Sequence, residues 1–157
     1  MDPRTDSSRV RIKNIKSGKY LSVQGDYSNW LNDDASLTIR EWLNLSPLKS
    51  PQVWRILQKS DNSWIMLNQN SCLLASIRAR SQANDAIAIQ YHIQNVSEEF
   101  QHWNFELLEN GNFLIKNVHS HKYIGPQCRS TENDHYCIQW DSQILEDSYQ
   151  EWTFEKI

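Results

Sequence analysis

A chain of 157 residues is long enough for one domain with a buried core, and its formal charge of -3 offers no basic field for a phosphate backbone, which excludes nucleic acid as a default partner. No run approaches the roughly 18 apolar residues of a spanning helix, and residues 1–8 carry no apolar stretch of the signal-peptide kind. A cytoplasmic protein without membrane insertion is therefore expected, with non-classical secretion left open.

In chain order, a flexible tail over residues 1–8 gives way to Val10-Arg11-Ile12, whose alternation suits a half-buried strand. The phrase Ile12-Lys13-Asn14-Ile15-Lys16-Ser17-Gly18-Lys19-Tyr20-Leu21 then reads as strand, turn, strand. Leu37-Thr38-Ile39 is a third short run, and Pro51-Gln52-Val53-Trp54 opens a fourth. The opening phrase returns in degenerate form at Ile65-Met66-Leu67-Asn68 and closely at Ile115-Lys116-Asn117-Val118-His119-Ser120-His121-Lys122-Tyr123. The third run returns as Ile87-Ala88-Ile89 and as Tyr136-Cys137-Ile138. Gln-x-Trp recurs at Gln101-His102-Trp103 and Gln150-Glu151-Trp152, and both steps from one glutamine to the next are 49 residues. Three units therefore tile the chain, at about 9–58, 62–108 and 111–157. A unit of four short strands cannot cover its own apolar face, so the three must share one core in a single all-β domain over residues 9–157. Closure around a pseudo-threefold axis also reduces exposed strand edges.

The three Gln-x-Trp triplets and the Ile-Lys-Asn-x-x-Ser-x-Lys-Tyr phrase resemble the ricin-B-like lectins, most of all their fungal members, over nearly the whole chain from residue 9. The resemblance implies a β-trefoil, with six strands in a barrel and six in hairpins that cap one end. It also implies a non-enzymatic, carbohydrate-binding module, with glycans or glycoproteins as partners, no cofactor, and up to one shallow pocket per repeat. Repeated pockets or a homodimer would raise avidity without new contacts. A defensive role belongs to the same resemblance.

In that family a pocket combines an Asp after the second strand, a Gln and an aromatic after the third, and an Asn beside Gln-x-Trp. Repeat one comes nearest, with Asp26 as the acid, Arg40 in place of the glutamine, and Trp42 as the aromatic platform. Repeat two offers Gln90, Tyr91 and His92. Repeat three offers Gln139 and Trp140, with the aromatic one position early, a shift that can turn its side chain away from the pocket. Pro51, Phe100 and Tyr149 stand where Asn is expected. Trp54, Trp103 and Trp152 read as core, and the glutamines of the triplets as loop ties.

Cys72, Cys128 and Cys137 are odd in number and lack metal-ligand spacing, which fits a reduced compartment, with a Cys128–Cys137 pair as the alternative. His119 and His121 read as part of a hairpin turn, not a metal site. No Gly-rich phosphate loop, Gly-x-Ser-x-Gly elbow or His-Glu-x-x-His occurs. The competing function is a protein-binding trefoil such as a protease inhibitor, working through the segment from Trp42 to Pro51 with Leu43, Leu45, Pro47 and Leu48.

Overall fold

Each repeat folds into four strands in the computed structural model of the chain, which describes residues 9–94, 98–143 and 147–157. The expected tail over residues 1–8 lies outside the described residues. Repeat one supplies β1 (Arg9–Asn14), β2 (Tyr20–Val23), β3 (Leu37–Arg40) and β4 (Trp54–Gln58). Repeat two supplies β5 (Trp64–Asn68), β6 (Leu74–Ile77), β7 (Ala88–Tyr91) and β8 (Trp103–Leu107). Repeat three supplies β9 (Phe113–Asn117), β10 (Tyr123–Pro126), β11 (His135–Trp140) and β12 (Glu151–Lys156). Strict alternation of buried and partly exposed residues in β1 and β5 shows the half-buried strand read from the sequence.

The first and fourth strands of the repeats close a ring, because β1, β4, β5, β8, β9 and β12 pair antiparallel in that order and β12 returns to β1. The second and third strands pair within each repeat as β2–β3, β6–β7 and β10–β11, and these hairpins cap the barrel. Bridges from β11 to β3, Ser36 to Ile89 and Ile87 to Ile138 join the hairpins into a triangle. This is a β-trefoil, as the repeats imply.

Three fully buried indoles hold the axis. Trp54, Trp103 and Trp152 belong to one apolar cluster with Ile12, Phe113 and Phe154, and their Nε1 atoms donate to the carbonyls of Leu21, Ala75 and Ile124 at 3.0–3.1 Å. The fourth strand of each repeat is thereby pinned to the hairpin of its own repeat. The glutamines of the triplets are buried loop ties: Gln52, Gln101 and Gln150 each accept from a backbone N–H and donate to a backbone carbonyl in the β3–β4 type of loop. A second set of ties runs between repeats. The buried amides of Asn14, Asn68 and Asn117 donate to the carbonyls of Tyr149, Pro51 and Phe100, so each repeat grips the one before it in a cycle.

The three cysteines are unpaired: Cys72 and Cys128 are exposed, and Cys137 is buried in the core, where burial pushes its thiol pKa upward. The segment from Trp42 to Pro51 is not a free loop, since Leu43 and Leu45 pack against the core and only Leu48 among its leucines projects.

His102 sits between the buried Gln101 and Trp103, and its Nδ1 is buried without a hydrogen-bond partner among the described residues. Burial lowers its pKa, Lys59 adds to the effect, and Asp61 and Glu99 oppose it. The folded state therefore binds this proton less readily than the unfolded one, so the stability is fully present above the ordinary imidazole value of about 6.5 and is lost as pH falls from there through the lowered folded value. Replacement by the residue of repeat one, His102→Val, should flatten the drop in melting temperature between about pH 7.5 and 5.5, a difference read by thermal melts of both proteins.

Candidate functional site

The pairing of the hairpins sets which residues are equivalent. Leu21 pairs with Ile39, Ala75 with Gln90 and Ile124 with Gln139, so the counterpart of Gln90 and Gln139 is Ile39. Arg40, Tyr91 and Trp140 share the next position, opposite Tyr20, Leu74 and Tyr123. The alignment of the third phrase read from the sequence is thus corrected by one residue in repeat one. Its cause is a β3–β4 connection two residues longer than its counterpart (41–53 against 92–102), which breaks the 49-residue beat.

Gln90 and Gln139 are fully buried, and the chain itself uses their amides. Gln90 Nε2 donates to the carbonyls of Trp30 and Asn32, and its Oε1 accepts from Ser71 Oγ. Gln139 repeats the pattern with Ser81, Ala83 and Ser120. Each ties the β2–β3 type of loop of the preceding repeat to its own strand. Neither side chain is open to a ligand in the free protein.

Those loops form one wall of two clefts. Asp34, Asp85 and Asp134 occupy the same place, each at positive φ (66°, 71° and 62°), with their N–H groups donating to the carbonyls of Gln90, Gln139 and Ile39. In repeat two a cleft of about 510 Å³ runs between Asp34, Arg80, Tyr91, Gln94 and Phe100. In repeat three a cleft of about 320 Å³ runs between Asp85, Arg129, Trp140, Gln143 and Tyr149. Trp140 thus lines its cleft instead of turning from it, as does Tyr91. Both arginines follow a left-handed turn after the second strand, with φ of 54° at Arg80 and 55° at Arg129. Each guanidinium lies over the aromatic ring that precedes Gln-x-Trp, at 5.3 Å from Phe100 and 5.5 Å from Tyr149. The floor of each cleft is therefore aromatic, one rim accepts hydrogen bonds and the other donates them.

Repeat one is built otherwise. Arg40 takes the place of Tyr91 and Trp140, donates from Nη1 to the Gly25 carbonyl at 2.8 Å, and lies with Nε 3.6 Å from Asp134 Oδ1. The protein's own guanidinium spans the space between the two walls. Asp26, the counterpart of Arg80 and Arg129, is exposed, and its pKa is lowered by the hydroxyl and then the N–H of Ser28. Trp42 packs on the barrel flank, edge-on to Tyr20 at 5.4 Å and beneath the Arg11 guanidinium at 4.7 Å. No contact joins Trp42 to Asp26 among the described residues. His92 stands at the margin of the repeat-two cleft, its ring 4.4 Å from that of Tyr91 and its Nδ1 3.2 Å from Asp33.

Arg80, Arg129, Asp34 and Asp85 escape a reading of local motifs. A signal was present, because the 49-residue step between glutamines also separates Arg80 from Arg129 and Tyr91 from Trp140.

Comparison with solved structures places the fold among known trefoils. A designed threefold-symmetric protein, ThreeFoil, superimposes with a TM-score of 0.83 at 21% identity, over 95% of this chain and 99% of that one. An exo-β-1,3-galactanase from Clostridium thermocellum gives 0.83 at 23% identity over 97% of this chain, which spans only 31% of the enzyme. The Macrolepiota procera ricin B-like lectin, solved in complex with lactose, gives 0.75 at 15% identity over 97% of both chains. A comparison with curated proteins finds no match. The family described as ricin-type β-trefoil lectin domain-like matches residues 2–91 and 99–157. With its repeats, its ring of strands and that match over nearly its whole length, the chain belongs to the ricin-type β-trefoil lectin domain-like family.

Proposed function

We propose that this protein is a lectin that takes sugar rings in the clefts of repeats two and three, with Tyr91 and Trp140 as stacking platforms. The observation that carries the reading is the recurrence, at pseudo-equivalent places, of an aromatic floor between a carboxylate rim and a guanidinium rim. A pyranose presents an apolar patch of C–H groups to an aromatic face, and its hydroxyls both donate and accept hydrogen bonds. Asp34 and Asp85 supply acceptors, each oriented by a donor from the corresponding loop of the following repeat, Arg78 Nε at 3.1 Å and Gln127 Nε2 at 3.0 Å. Arg80 and Arg129 supply donors held on an aromatic wall. In the M. procera lectin the bound sugar is lactose; a galactose-containing glycan is a natural first probe here.

Arg40 occupies the corresponding space in repeat one, so Asp26, Arg40 and Trp42 are not proposed as a working pocket. His92 serves repeat two at its margin by fixing Asp33.

The test is a glycan array read with the wild type, with Tyr91→Ala, with Trp140→Ala and with the double variant. Each single variant should lose the glycans of its own cleft, and the double variant should lose all signal while its far-ultraviolet spectrum stays unchanged. Loss of one stacked platform should weaken binding by about 0.5–1.5 kcal/mol, enough to drop a weak shallow site below detection. A folded double variant that binds as the wild type does would refute the assignment.

A further inference from the structure

The two clefts share a plan but differ in how their arginines are neutralised. In repeat two, Arg80 Nη2 lies 3.0 Å from Glu98 Oε1, while the opposite rim of each cleft carries one carboxylate, Asp34 paired with Arg78 at 3.1 Å and Asp85 held by Gln127 at 3.0 Å. In repeat three the counter-ion is divided. Asp147 Oδ2 lies 3.2 Å from Lys16 Nζ and 3.6 Å from Arg129 Nη1, so one carboxylate answers two cations and the ammonium has the closer contact. Arg129 Nη2 donates instead to a neutral acceptor, Gln143 Oε1, at 3.3 Å. Its side chain is 44% exposed, and its guanidinium carbon lies 5.5 Å from the Tyr149 ring centroid.

A guanidinium has donors only, so it cannot receive the hydrogen bond of a sugar hydroxyl as a carboxylate in the same place would. Its planar fork matches the two oxygens of a carboxylate, and such charge-assisted pairs are about twice as strong as neutral ones. We propose that the repeat-three cleft selects an acidic saccharide, stacking a pyranose ring on Trp140 and holding its carboxylate on Arg129, while the repeat-two cleft takes neutral rings. This inference rests on the lectin reading of both clefts and assigns them different ligands.

The experiment is a titration of isotope-labelled protein with the methyl glycosides of glucuronic and galacturonic acid and with the methyl ester of each. It follows the Trp140 indole Nε1 signal, assigned with Trp140→Ala. Each ester keeps the ring and removes the charge while adding one methyl group. At least one acid should bind about five- to tenfold more tightly than its own ester at low ionic strength, and about 0.5 M salt should shrink that ratio toward one. Arg129→Gln should abolish the preference, and Arg80→Gln should leave it intact. Equal affinity for acid and ester, or a preference that survives Arg129→Gln, overturns the proposal and leaves the lectin reading standing. Silence toward every glycoside, together with an empty glycan array, overturns both.

Discussion

Trp103→Ala should cost about 3–5 kcal/mol of folding stability, a large part of the roughly 5–15 kcal/mol that holds a domain of this size together. The indole is fully buried, and every repeat contributes to the cluster around it. Truncation removes the largest kind of side chain from a place where three repeats converge, so no single segment can move inward to refill the space. It also strands the Ala75 carbonyl, which accepts the indole N–H at 3.0 Å in a buried setting. Trp103→Phe largely separates the two effects, because it keeps most of the ring volume while losing the donor. Its expected cost is smaller, about 1–3 kcal/mol. Urea unfolding followed by circular dichroism measures both. A loss below about 1 kcal/mol for the alanine variant would show that the repeats do not depend on a common core.

The second large effect is expected at Asn68. Its side chain is fully buried, its Nδ2 donates to the Pro51 carbonyl at 3.1 Å, and its Oδ1 accepts the N–H groups of Asn70 and Ser71 at 3.1 Å each. Asn68→Leu has similar bulk but satisfies none of these groups. The expected loss is about 2–4 kcal/mol, the sum being smaller than three full penalties because the turn is open enough for water to reach part of it. The same substitution at Asn14 or Asn117 should behave alike, since their amides grip the Tyr149 and Phe100 carbonyls at 2.9 and 3.0 Å. Chemical unfolding of the three variants gives the comparison. Three small and unequal losses would mean that the cycle of inter-repeat bonds is not the clamp described above.

What was legible in the sequence, and what was not, divides along physical lines. The repeats were plain because a shared core demands the same large side chain at the same place in each unit, and the tryptophans with their loop-tying glutamines mark that place. The barrel strands β1 and β5 show the alternation of a half-buried strand, whereas the hairpin strands β2, β6 and β10 are buried throughout and show none. The candidate site was harder. Trp42 follows Arg40 at the spacing of a family pocket, yet it lies beyond the end of β3 and packs against Tyr20 and Arg11. Gln90 and Gln139 look like ligand-facing amides in a string of letters, and their burial shows only when the loops they tie are in place. Arg80 and Arg129 lie in left-handed turns that local patterns do not announce. Nothing short of pairing could show that Arg40 fills the space its counterparts line.

The closure of the barrel by its first and last strands also sets how the molecule answers a mechanical load. In the β1–β12 ribbon Val10 lies opposite Lys156, and Asn14, deeper in the chain, lies opposite Trp152. The chain therefore enters β1 and leaves β12 at the same end of one antiparallel ladder. Tension between them would fall on one rung at a time and peel the ribbon open, without shearing all its hydrogen bonds together. The seam that seals the barrel is thus the place where a pulled molecule would first come apart.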